Sequence, residues 1–137
     1  MQRTLALIKP DAYAAGHQGA IIARIQESGL KVLGLKVLHL TKAQAEGFYH
    51  VHRERGFFGD LVRFMSEGKI VAMVLEGDDA IKRWRDLMGP TDATKAPKGT
   101  IRGDFGTSIE RNASHGSDAV DTAAFETGYF FAGLEIV

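Results

Sequence analysis

The chain has 137 residues, 45% of them hydrophobic and 25% charged, with 17 basic residues against 17 acidic ones. A chain this long forms one soluble domain, residues 1–137, with a core of its own, and its balanced charge gives no net basic surface that would require a nucleic acid. The absence of cysteine excludes disulfides and thiolate metal sites. No apolar run approaches the ~20 residues a membrane span needs, and Met1-Gln2-Arg3 leads into a short strand-like run with no leader pattern. These features predict a cytoplasmic protein.

Thr4 to Ile8 (T-L-A-L-I) reads as a buried strand, stopped by Lys9-Pro10-Asp11. From Gly19 to Ser28, Ile21, Ile22 and Ile25 share one helix face, with Gly29 closing the helix. Leu30 to Leu40 is a Val- and Leu-rich strand. Thr41-Lys42-Ala43-Gln44 has the form of a capping box opening a helix toward His52. A second amphipathic helix covers Phe57 to Met65, and a third strand Lys69 to Glu76. Asp78 is the expected cap of a helix carrying Ile81, Trp84, Leu87 and Met88 on one side and ending at Gly89-Pro90.

Periodicity then stops. Residues 89 to 117 hold five of the 16 glycines and two of the three prolines, the composition of a long functional loop. A short helix over Asp118 to Glu126 and a last strand over Tyr129 to Ile136 follow. The order β-α-β-α-α-β-α-α-β predicts an α/β (α+β) ferredoxin-like sandwich, a four-stranded antiparallel sheet with helices packed on one face.

Five histidines are candidates for chemistry. His17 lies in a turn and His39 near a strand end, positions typical of surface or capping residues. His50 and His52 have i, i+2 spacing on the expected helix and cannot form a metal pair, which needs i, i+4. His115 stands in Asn112-Ala113-Ser114-His115-Gly116-Ser117-Asp118, among small residues that leave a ring nitrogen open to a ligand. Ser117 and Asp118 are the expected caps of the helix behind it, whose free N–H groups favour an anion. Such a histidine can attack phosphorus. In Gly99-Thr100-Ile101-Arg102-Gly103-Asp104-Phe105 a guanidinium sits between glycines, able to grip a phosphate or to pair with Asp104. Arg85 and Thr91 flank the start of the loop, and Lys9 stands at the end of the first strand, where α/β sheets place binding groups.

Taken together, K-P-D, Y-x-x-H, F-F, G-P-T, G-T-I-R-G-D-F and N-A-S-H-G-S-D, in this order, resemble nucleoside diphosphate kinase from Arg3 to about Phe131. The resemblance implies a ferredoxin-like fold. It implies transfer of a γ-phosphate from a nucleoside triphosphate to a diphosphate by a ping-pong route through phosphohistidine. It makes His115 the nucleophile through Nδ1, Glu126 the carboxylate steadying its ring with Ser117 beside it, and Tyr49 a neighbour of the histidine. Arg85, Arg102, Thr91 and His52 become phosphate contacts. Lys9 and Asn112 reach the sugar hydroxyls, Lys9 also the γ-phosphate. Phe57 stacks on the base, with Leu61 and Ile109 lining the slot. Stacking alone predicts little base selectivity. Mg²⁺ arrives on the nucleotide phosphates with no direct protein ligand, Asp118 touching it at most through water. A homo-oligomer, tetramer or hexamer, is implied as well. Ala93 and Gly56 stand where many members carry proline. The alternatives are a non-catalytic binding module on the same fold, with His115 and the arginines merely contacting an anion, and a structural subunit whose loop serves assembly.

Overall fold

The computed structural model describes residues 1–137. Its strands are β1 (Gln2–Ile8), β2 (Lys31–His39), β3 (Lys69–Gly77) and β4 (Ser114–Gly116). They form one antiparallel sheet in the order β2-β3-β1-β4. The helices are α1 (Pro10–Ala14), α2 (Gln18–Glu27), α3 (Lys42–Phe48), α4 (Phe58–Ser66), α5 (Ala80–Met88), α6 (Ile101–Phe105) and α7 (Val120–Phe130). Single 3-10 turns cover His50–His52, Ala93–Lys95 and Gly133–Glu135. The four-stranded antiparallel α/β architecture is the one expected.

Helices cover both faces of the sheet, not one. Leu5 and Leu7 of β1 pack with Phe48 of α3, Val62, Phe64 and Met65 of α4 and Phe130 of α7. Ala6 and Ile8, pointing the other way, pack with Ile21 and Ile25 of α2, Trp84 and Met88 of α5 and Ile101 of α6. Both faces of a central strand must be apolar for this, and β1 and β3 are continuous apolar runs, not alternating ones.

The capping box forms as expected: Thr41 N–H donates to Gln44 Oε1 at 2.9 Å and Gln44 N–H to Thr41 Oγ1 at 3.1 Å. At α5 the cap differs. Asp79, with φ of 54°, occupies the N-cap without a side-chain bond, and the Ile81 N–H donates to Gln2 Oε1 at 2.9 Å instead. Pro10, read as a strand stop, is also the first residue of α1, where its missing N–H costs nothing. His52 lies on a 3-10 turn beyond the end of α3.

Two further corrections concern the fourth strand. It is Ser114–Gly116, inside the span expected to be loop, and Tyr129–Ile136 is not a strand. α7 runs to Phe130 because Phe130 follows Ala123 and Thr127 onto the buried side, while the Tyr129 hydroxyl donates to the Gln44 carbonyl at 2.7 Å. The tail meets β2 through one backbone bond, Val137 N–H to the Leu33 carbonyl at 3.1 Å, and through the Lys36–Glu135 ion pair at 3.2 Å. Gly34 accommodates it, since a Cβ there would lie 3.0 Å from the Phe131 ring. The expected long loop is thus partly structured, holding α6 and β4 as well as a 3-10 turn.

Candidate active site

β4 brings His115 opposite Leu7, at the edge of the sheet. Its Nε2 lies 2.8 Å from Glu126 Oε1, and Ser117 Oγ donates to the same oxygen at 2.9 Å. An ionised carboxylate can only accept, so this contact places the ring proton on Nε2 and leaves the Nδ1 lone pair open. Phe48 meets the imidazole edge-on at 5.4 Å and Tyr49 at 6.3 Å between ring centres. The Tyr49 hydroxyl is buried without a partner. Burial first, and the charge of Glu126 second, push its pKa upward, so it stays protonated.

The small residues around His115 serve packing, not access. Ala113, Ser114 and Ser117 are wholly buried. A Cβ on Gly116 would stand 2.5 Å from the Trp84 ring. Trp84 in turn donates its indole N–H to the His115 carbonyl at 3.1 Å. Nor do Ser117 and Asp118 cap α7. Ser117 Oγ accepts from Leu5 N–H at 3.3 Å, and Asp118 accepts the Thr122 hydroxyl at 2.7 Å. The helix begins two residues later than expected, at Val120, behind Ala119.

Beside His115 lies a group of cations. Lys9 is 7% exposed, and its Nζ donates to Asn112 Oδ1 at 2.9 Å. Asn112 donates to the Thr91 carbonyl at 2.9 Å. Arg102 is 6% exposed. Its Nη1 donates to the Gly89 carbonyl and its Nη2 to the Ser114 carbonyl, each at 3.0 Å, while Nε is buried without a partner. Burial, and then the charge of Arg102, lower the Lys9 pKa to about 8. Burial, and then Arg85, lower that of Arg102 to about 10. No carboxylate pairs with either group: Asp104 pairs with Arg24 at 2.6 Å, so the expected alternative of an Arg102–Asp104 pair does not form. Asp11 and Glu110 offset the charge of Lys9 only in part; buried cations with no ion pair are costly, and an anionic ligand relieves that cost.

The remaining candidates are looser. Arg85 is exposed, carries no ion pair, and is felt by Arg102 as charge. His52 and Phe57 approach to 5.5 Å between ring centres, and Phe57 is half exposed. Leu61 sits one turn into α4 with its N–H on the Phe57 carbonyl at 3.0 Å. Ile109 is exposed on a neighbouring loop, which Arg111 ties to Glu67 at the end of α4 with a 2.9 Å contact. The fold therefore joins His115, Glu126, Ser117 and Tyr49 in one group and Lys9, Asn112, Arg102 and the Thr91 backbone in another. The Arg85 side chain is tied to neither by a hydrogen bond or ion pair, and Ile109 is exposed. Two residues escaped sequence reasoning. Trp84, read only as core, anchors the His115 backbone. Asp11, present in the K-P-D motif, accepts the Ala113 N–H at 3.0 Å.

No set of three or more His, Asp or Glu side chains converges to hold a metal ion. Glu126 is committed to His115 and Ser117, which leaves Asp118 as an exposed carboxylate near the site. That donor set suits a hard cation carried by the ligand's own oxygens. No helix is long and apolar enough to cross a membrane.

Residues 2–136 match the family model described as nucleoside diphosphate kinase. The chain is 61% identical over 137 residues to a nucleoside diphosphate kinase of Syntrophotalea carbinolica, covering 100% of both chains. It is 58% identical to one of Desulfosudis oleivorans, covering 100% of this chain and 99% of that one. Among solved structures it resembles the Aquifex aeolicus nucleoside diphosphate kinase with a TM-score of 0.97 at 47% identity, over 99% of each chain. It also resembles a halophilic nucleoside diphosphate kinase of Halobacterium salinarum in complex with CDP, with a TM-score of 0.95 at 40% identity, over 99% of this chain and 91% of that one.

Proposed function

The chain belongs to the nucleoside diphosphate kinase family, and from that premise we propose that it transfers the γ-phosphoryl group by a ping-pong route through His115. The observation that carries this reading is the Nε2 contact with Glu126, which leaves Nδ1 as the free ring nitrogen beside buried cations that form no ion pair. The Nδ1 lone pair attacks the γ-phosphorus in line. The bond from γ-phosphorus to the bridging oxygen breaks, and the diphosphate leaves with its electron pair. A terminal oxygen of an acceptor diphosphate then attacks the phosphohistidine and restores the lone pair to Nδ1. Glu126 steadies the positive imidazole ring throughout.

Lys9, Arg102 and Arg85 neutralise the charge that spreads over the transferring group. Their value lies in being positioned beforehand, since phosphoryl transfer asks mainly for alignment and charge stabilisation. His52 and Thr91 complete the phosphate contacts, Asn112 takes a sugar hydroxyl, and Tyr49 and Ser117 hold the ring and its carboxylate. Mg²⁺ bound to the nucleotide would neutralise β- and γ-phosphate oxygens, with Asp118 holding it through water.

Phe57 offers a half-exposed ring, 5.5 Å from that of His52. A ring face accepts any base, so Phe57, Leu61 and Ile109 form a slot of low selectivity. The CDP in the Halobacterium relative supports pyrimidine binding. A cytoplasmic homo-oligomer completes the reading. Leu35 and Val37, both about half exposed on the edge strand β2, support the assembly.

The test is incubation with γ-labelled ATP and Mg²⁺. The protein should take up acid-labile label and release it to any nucleoside diphosphate, and His115→Ala should take up none. Label that persists in His115→Ala would overturn the mechanism, and binding without label would favour the non-catalytic module.

A further inference from the structure

Ala113 is the residue on which the two halves of the site turn. It is fully buried and adopts φ of +73°, a region L-residues rarely enter. The Ser114 N–H donates across it to the Asn112 carbonyl at 2.9 Å. An i to i+2 bond with positive φ at the centre is the rare, strained form of the γ-turn. Both remaining backbone groups of Ala113 are taken: its carbonyl accepts from Lys9 N–H at 2.9 Å, and its N–H donates to Asp11 Oδ2 at 3.0 Å. Asp11 Oδ1 is buried without a partner, so this N–H is the carboxylate's sole hydrogen bond.

The turn changes which side of the sheet the chain faces. His115 lies opposite Leu7, whose side chain packs toward α3 and α4. In an unbroken strand Ala113 would share that side and Asn112 would oppose it. The reverse is found. Ala113 packs among Ile8, Trp84 and Ile101 on the α2 and α5 side. Asn112 bonds Lys9, whose Nζ lies 6.0 Å over the Phe64 ring on the α4 side. The γ-turn thus slips the alternation by one residue and lets Asn112 and His115 serve one cleft.

We propose that Asp11 is a positioning residue of the kinase, whose carboxylate oxygen holds the Ala113 γ-turn and so aligns Asn112 with His115. The inference rests on the reading of His115 and Asn112 given above. Asp11 touches neither substrate nor the reacting atoms. It acts as a hydrogen-bond acceptor for a buried, strained backbone group, and an amide oxygen can replace it in that role.

The experiment compares single-turnover phosphorylation of His115 and steady-state kcat/KM in Asp11→Ala, Asp11→Asn and Asp11→Ala combined with Ala113→Gly. Asp11→Ala should lose about tenfold to a hundredfold through misalignment. Asp11→Asn should stay within about threefold of the parent because it keeps the acceptor. Glycine enters positive φ without strain, so Ala113→Gly should recover about threefold or more in the Asp11→Ala background. A carboxylate that merely filled space would show no such rescue. Should Asp11→Ala fail to fold, Asp11→Asn against Asp11→Glu decides, since glutamate keeps the charge but moves the oxygen: the asparagine variant should be the more active. The proposal is overturned if Asp11→Ala keeps full activity, if the glycine gives no recovery, or if Asp11→Glu outperforms Asp11→Asn. The last result would assign Asp11 a charge effect on Lys9. His115→Ala, run alongside, reads the underlying mechanism separately: label on that variant sinks the mechanism itself, whereas a normal His115→Ala loss with an inert Asp11→Ala sinks only this inference.

Discussion

The two ends of the proposed nucleotide site are built differently. At the phosphate and sugar end Lys9, Asn112 and Arg102 are almost wholly buried and spend their donors on the Thr91, Gly89 and Ser114 carbonyls and on one another. At the base end Phe57 and Ile109 are exposed, and the neighbouring His52, though assigned to the phosphates, makes no side-chain hydrogen bond either. Rigidity is concentrated where charge must be stabilised in the transition state, and the end that need only recognise a flat ring is left adaptable. On the proposed reading, catalytic power and broad substrate range are thereby assigned to separate groups of residues.

The largest expected effect comes from the rigid end. Arg102→Ala should lower kcat/KM by about 10²–10³ as a prepositioned donor is lost. It should also cost about 1–3 kcal/mol of stability because the Gly89 and Ser114 carbonyls lose their partner. Steady-state rates and urea unfolding measure the two, and a rate loss below tenfold would break the contrast. Phe57→Ala should weaken nucleotide binding by about 1–3 kcal/mol, and by the same amount for ADP and CDP. Calorimetry that shows a purine-only loss would mean the slot reads base edges after all.

A pH series sharpens the contrast further. With its pKa near 8, Lys9 loses its charge as pH rises past that value. Nucleotide affinity should fall by up to about tenfold per pH unit above 8, while binding draws a proton back onto Lys9, visible as proton uptake in buffers of different ionisation heat. Stability of the free protein runs the opposite way. Below about pH 8 Lys9 is charged in both states and its burial penalty is fully present. Between there and 10.5, its ordinary value, the unfolded chain holds the proton that the folded chain has released, so stability rises with pH. A flat stability curve across that window would assign Lys9 an ordinary pKa. The smallest effect lies in the loop feeding the rigid end. Ala93 opens a 3-10 turn behind the extended residue Asp92, and its N–H makes no hydrogen bond. Proline fits there, and Ala93→Pro should add about 0.4–1 kcal/mol, raising Tm by roughly 2–4 °C; unchanged or lower Tm would show that the loop is already rigid.

Most of the architecture was legible from periodicity, because β1, β3 and the amphipathic helices α2, α4 and α5 bury well-patterned residues, and β2 is rich in Val and Leu. β4 was not. Ser114-His115-Gly116 has no strand-forming side chain, and the segment is extended because β1 offers an open edge and Trp84 seizes its carbonyl. The aromatic run from Tyr129 to Phe131 reads as a strand from composition, yet its side chains are used to dock the end of α7 on α3 and β2. That helices lie on both faces was written in the unbroken apolar runs of β1 and β3. In the site, the spacing of His115 and Glu126 survives into a 2.8 Å contact. Trp84 and Asp11 stayed hidden because they act on a backbone C=O and a backbone N–H, groups every residue carries and no pattern of side chains reveals.

Trp84 has a consequence of another kind. It is the chain's one tryptophan, wholly buried, and its indole N–H is bound to the carbonyl of the residue expected to carry the phosphoryl group. Any movement of that peptide changes the polarity felt by the indole. The protein therefore contains a built-in fluorophore whose emission can follow the reacting strand in real time, with no dye attached and no second tryptophan to dilute the signal.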